Sequence, residues 1–153
     1  MVSIKKLREF LEETKTTITE INFQQLVVDD SELEKFMQER SDTDNVMLFG
    51  VVPDFQLRGQ EDAVKWNNQL LFFIVKKSSS RDLTHEKYLE VFEDTQEVAR
   101  KFVDKIITDK HNNNLMGCPF LQEIDESSVA VNPVWRKAQC NGWVIEFDLL
   151  SRV

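Results

Sequence analysis

Only four glycines, three prolines, two cysteines and two histidines occur among the 153 residues, and each scarcity excludes a class of function. Gly50, Gly59, Gly117 and Gly142 stand apart from one another, so no glycine-rich loop is available to cradle phosphate on backbone N–H groups. Cys118 and Cys140 are too few for a disulfide framework and read as reduced thiols of a cytoplasmic compartment. His85 and His111 fall at opposite ends of one predicted helix, about 40 Å apart, and so do not share a zinc ion. No run of about 18 apolar residues exists to cross a bilayer. The stretch from Met1 to Phe10 interleaves Lys5, Lys6, Arg8 and Glu9 with its apolar residues, which leaves no uninterrupted core for a signal peptide.

Basic charge is also short. The net charge is −8, and residues 1–44 carry eleven acidic against six basic side chains. Free nucleic acid is therefore not an expected partner, because its binding draws on clustered Lys and Arg. Apolar residues make up 41% of the chain and include eleven phenylalanines and three tryptophans, a composition that builds a core. The length fits one domain, residues 1–153.

Ile4, Leu7, Phe10 and Leu11 place an amphipathic helix over residues 2–14, ended by Thr14, Thr16, Thr17 and Thr19. Ile21, Phe23 and Val27 share one parity and predict an extended segment over residues 18–28. Ser31 and Glu34 fit a capping box that opens a short helix bearing Leu33, Phe36 and Met37 and ending near Arg40. Ser41 to Asn45 is a cluster of turn formers.

Two apolar runs follow, Val46–Val52 and Leu70–Val75, and read as neighbouring buried strands. Between them residues 53–69 read as a long polar loop carrying Phe55, Leu57, Arg58, Lys65 and Trp66. Hairpin loops usually hold about two to five residues, and longer ones tend to be functional. The aromatic-plus-arginine content matches interface hot spots, so these five residues are the candidate protein-interaction site; a lid over the domain's own core is the alternative.

A solvated connection from Lys76 to Asp82 leads to a long helix, Thr84 to Lys110, with the stripe Tyr88, Phe92, Thr95, Ala99, Phe102 and Ile106. Asn112 to Asn114 suit its C-terminus, and Gly117 and Pro119 enforce irregular backbone beyond. The last third predicts a hairpin turning at Asn141-Gly142, with Trp135 and Trp143 as cross-strand partners and Pro133 marking an edge strand. The order α–β–α–β–β–α–β–β predicts an α+β fold: an antiparallel sheet of two hairpins, a long central helix across one face, and an N-terminal helix.

Chemistry is sparse. Glu123, Asp125 and Glu126 read as a solvated turn, and Glu146 and Asp148, on one parity of a strand, as surface. No catalytic residue, metal ligand or cofactor is predicted.

The strands Val46–Val52 and Leu70–Val75, the helix Tyr88–Ile107 and the closing strand Asn141–Asp148 together resemble the element order of phage tail-terminator and neck (head–tail joining) proteins. The resemblance implies a non-enzymatic subunit of a homo-oligomeric ring, often a hexamer or dodecamer, whose partners are other phage structural proteins and whose location is the virion or host cytoplasm. The short helix from Ser31 to Arg40 departs from that family. The acidic charge supports a different reading, a small protein-binding module such as an inhibitor or immunity protein. A third class is an enzyme built on converging carboxylates.

Overall fold

The computed structural model describes residues 1–60, 63–78, 83–112 and 124–152. The elements follow the expected order: α1 Ile4–Thr17, β1 Ile21–Val27, α2 Asp30–Glu39, β2 Val46–Arg58, β3 Lys65–Lys77, α3 His85–Asn112, β4 Ala130–Lys137 and β5 Cys140–Arg152. The strands form one sheet in the order β1-β2-β3-β5-β4. The fold is α+β, and its β2–β3 and β4–β5 hairpins join antiparallel through β3 and β5. β1 adds to β2 in parallel through the crossover helix α2, a pairing outside the two-hairpin scheme.

Apolar residues on both faces of the strands give the sheet two cores. One face carries Leu48, Leu70, Phe72, Ile74, Ile145 and Phe147, and α1 and α3 cover it with Leu7, Phe10, Leu11, Phe102 and Ile106. Four phenylalanines meet there. Phe72 lies 5.9 Å from Phe10, 5.1 Å from Phe102 and 5.8 Å from Phe147, between ring centres. The opposite face carries Met47, Phe49, Val75, Val134 and Cys140 under Leu33 and Met37 of α2.

Two lysines of the sheet fix α2 by its ends. Lys77 Nζ donates to the carbonyls of Met37, Gln38 and Arg40, where a helix C-terminus favours a cation. Lys137 Nζ lies 2.7 Å from Asp30 and 3.4 Å from Glu34 near the other end. Burial works against the Lys137 charge, but these carboxylates hold its pKa above the ordinary lysine value.

Several local expectations are corrected. α1 runs through Thr14, Thr16 and Thr17, because each hydroxyl donates to the carbonyl four residues back and so fits the helix. The cap of α2 sits two residues upstream of Ser31. Asp29 accepts from the Glu32 N–H at 2.9 Å, and Glu32 accepts from the Val28 N–H at 2.6 Å. Phe23 packs against the α2-side core and Ile21 lies in the other, since a register shift between them breaks their common parity.

The closing hairpin turns at Ala138-Gln139, with φ of 47° and 63°, the positive pair a tight two-residue turn requires. Asn141-Gly142 instead lies inside β5, paired with Val75 and Lys76 of β3. Asn141 is buried; its Oδ1 accepts from the Arg136 N–H at 2.8 Å and its Nδ2 donates to Ser78 Oγ at 2.6 Å. Gly142 has φ 153°, and a Cβ there would stand 2.2 Å from the Ile74 carbonyl oxygen. Pro133 does occupy an edge strand, β4. The readings on Gly117, Cys118, Pro119, Glu123 and residues 79–82 fall outside the described residues.

Candidate functional site

The loop expected over residues 53–69 is in large part strand. β2 runs on to Arg58 and β3 begins at Lys65, with Leu57 opposite Trp66 and Arg58 opposite Lys65. Where the apolar runs end, the register shifts between Val51 and Asp54, with buried Pro53 in the shift. Proline lacks the N–H that a regular ladder position would use, so a bulge accommodates it. Beyond it, the pairing partner supplies the backbone hydrogen bonds while the side chains turn polar.

Period-two geometry then divides the five candidate residues. Phe55 packs half-buried against the core beneath α1 and α3. Leu57 and Trp66 share that face nearer the tip, and Leu57 is 55% exposed. Arg58 and Lys65 point to the other face. The five candidate residues therefore lie on two faces, and Phe55 packs against the core.

A second exposed apolar surface lies on the edge strand β4. Trp135 is 66% exposed and Val131 42%. Trp135 does not pair with Trp143: it stands beside Arg136, whose guanidinium carbon lies 4.9 Å from the Trp135 ring and 5.3 Å from that of Tyr88. Arg136 also donates to Tyr88 Oη at 3.1 Å. Trp143 turns to α3 instead, donating to the Phe92 carbonyl at 3.1 Å with its ring edge-on to Phe92. Pro133, not Trp135, stands opposite Trp143, and Trp135 falls in the bulge between Val134 and Lys137. The exposed aromatic on an edge strand was missed by the sequence reading, and Pro133 two residues earlier was its signal.

Several titratable side chains are engaged in structure. His111 and Lys110 converge on Glu126 at 2.9 and 2.8 Å, and the Lys110 hydrogen bond, followed by that of His111, holds the Glu126 pKa below its ordinary value. Lys105 sits among Glu13 and Asp109; burial opposes its charge, but the two carboxylates raise its pKa above the usual lysine value. Cys140 is buried, and desolvation pushes its thiol up to about 11 against the opposing charge of Lys77, so it is a poor nucleophile. Glu146 accepts from Asn132 at 3.1 Å on the surface of the sheet. Among the described residues, no three His, Cys, Asp or Glu side chains group as a metal site. No described helix is long and apolar enough to cross a membrane.

Comparison with protein-family models, with curated proteins and with solved structures finds no match to this chain.

Proposed function

We propose that this chain is a non-enzymatic assembly protein, a ring-forming subunit of the phage tail-terminator or head–tail connector kind. The observation that carries this reading is the separation of two unlike exposed apolar surfaces. Leu57 and Trp66 lie at one end of the sheet, where Lys65 pairs with Arg152, and Trp135 lies near the end where Lys77 pairs with Cys140. The run of β3 from Trp66 to Val75 separates them by about 30 Å. A contact joining two different patches is heterologous, and repeated heterologous contacts close into a ring when the rotation permits.

Light scattering on the purified protein, coupled to size exclusion, is expected to give a mass several times that of the protomer, with rings visible by electron microscopy. Leu57→Asp and Trp135→Ala each remove one patch and leave the other. Each variant is expected to be monomeric alone, and their mixture to form dimers. A strictly monomeric native protein at high concentration overturns the reading, as does a dimer that only one of the two substitutions dissolves.

The small acidic binding module has one observation in its favour: Glu86, Glu90, Glu93, Asp94, Glu97 and Asp104 are exposed on α3. That reading requires a one-to-one complex whose association slows as salt is added.

A further inference from the structure

The end of the α2-side face away from α2 holds a hollow of about 180 Å³ lined by Asp54, Gln56, Arg58, Asn67, Gln69 and Asp148. Strand register arranges its chemistry in rows. Asp54, Gln69 and Asp148 lie side by side across β2, β3 and β5. Gln56 and Asn67, with Leu150 on β5, form the next row, and Arg58, Lys65 and Arg152 the third. The order along the strands is acid, amide, base.

Two neighbouring asparagines show that this polarity is not the interior's own hydrogen-bonding scheme. Asn68, on the helix-covered face, accepts from the Val2 N–H at 3.0 Å and donates to the Leu149 carbonyl at 2.7 Å. Asn67, on the hollow's floor, is 5% exposed, and its Oδ1 has no hydrogen-bond partner among the described residues. An unsatisfied buried carbonyl costs about 1–3 kcal/mol. Each of the other five lining side chains is also without a hydrogen bond or ion pair to the rest of the described chain.

We propose that this hollow binds a short zwitterionic peptide, a dipeptide in extended form. The row order is the imprint of such a molecule: Asp54 and Asp148 receive the ammonium, the carboxamides of Asn67 and Gln56 pair with the peptide group, and Arg58 receives the carboxylate. The N–H and carbonyl of a trans peptide point to opposite sides, so the Asn67 carboxamide accepts the N–H on one side and that of Gln56 donates to the carbonyl on the other, which gives Asn67 Oδ1 a donor. The dimensions agree. Four residues of strand separate Asp54 from Arg58, about 13.6 Å. An extended dipeptide spans about 7 Å, and a charge-assisted hydrogen bond adds about 2.8 Å at each end. An inorganic anion is disfavoured by the two aspartates, and a metal cation by the presence of Arg58 beside only two carboxylates.

The test is a titration of isotope-labelled protein with glycylglycine, followed by NMR at the side-chain amides of Gln56, Asn67 and Gln69 and at the Arg58 guanidinium. Saturable shifts confined to these groups are expected. Arg58→Gln and Asp54→Asn, both at exposed positions, are each expected to weaken binding about tenfold while leaving the backbone spectrum intact. N-acetylglycinamide, which lacks both terminal charges, is expected to shift nothing. The absence of saturable shifts with glycylglycine overturns the proposal, as do equal shifts with the capped analogue. The hollow lies on the face opposite Leu57 and Trp66, so this result and the oligomeric mass test separate ideas.

Discussion

Phe72→Ala is the sharpest test of how this sheet is held to its helices. The side chain is fully buried and its ring meets those of Phe10, Phe102 and Phe147 at 5.9, 5.1 and 5.8 Å. Phe→Ala in a core costs about 3–5 kcal/mol, part from lost transfer and part from the cavity left behind. Three aromatic neighbours, each contributing about 0.5–1.5 kcal/mol beyond area, place this site near the upper end of that range. A loss of about 4 kcal/mol lowers the melting temperature of a domain this size by roughly 8–16 °C. Phe72→Leu keeps most of the volume and is expected to cost less than about 1.5 kcal/mol. Guanidinium unfolding followed by tryptophan fluorescence measures both, and an unchanged slope confirms a change in stability alone. A double-mutant cycle with Phe147, stacked at 19° to Phe72, is expected to return a coupling of about 0.5–1.5 kcal/mol. A loss below about 2 kcal/mol for the alanine variant, or zero coupling, refutes the packing described.

Gly142→Ala places a Cβ 2.2 Å from the Ile74 carbonyl and is expected to cost about 3 kcal/mol or more, whereas Gly50→Ala, which meets only Leu11 and Leu26 side-chain atoms at 3.2 Å and beyond, stays below about 1.5 kcal/mol; chemical denaturation compares the two. Asn68→Ala leaves the Val2 N–H without its acceptor and is expected to destabilise by about 2 kcal/mol, and Asn67→Ala by clearly less, because its carbonyl has no partner among the described residues to lose. With Cys118→Ser in place, Cys140 is expected to resist alkylation at neutral pH in the native protein and to react on unfolding. Its folded pKa of about 11 exceeds the unfolded value of about 8.5, so the associated stability is present below the unfolded value and is lost as pH rises toward 11. Rapid native alkylation would show that the thiol is not buried.

Element order and the covered faces were legible because periodicity carries them. Leu7, Phe10 and Leu11, or Tyr88, Thr95, Ala99, Phe102 and Ile106, recur at helical spacing whatever lies beneath them, and all of them are buried in the fold. The α2 boundary was displaced because Asp29 and Ser31 are both good caps, and only the geometry of the chain leaving β1 selects Asp29. Asn141-Gly142 has the composition of a turn but serves another end: the asparagine ties β4 to Ser78 just past β3, and the glycine admits the backbone of β3 itself. Neither role is visible without β3 alongside.

The same reason governs the candidate site. Residues 53–69 read as a loop because their apolar density falls, yet Phe55 and Leu57 alternate with Asp54, Gln56 and Arg58 at the period of a strand. The sequence by itself determined that helices and strands would follow one another in this order as an α+β fold. Only the tertiary structure decided that β1 pairs in parallel, that the hairpin extends to Arg58, and that the five candidate residues divide between two faces. Periodicity is a property of a segment, whereas pairing and register belong to two segments at once; a polar strand is held by its neighbour's hydrogen bonds, which its own residues do not record.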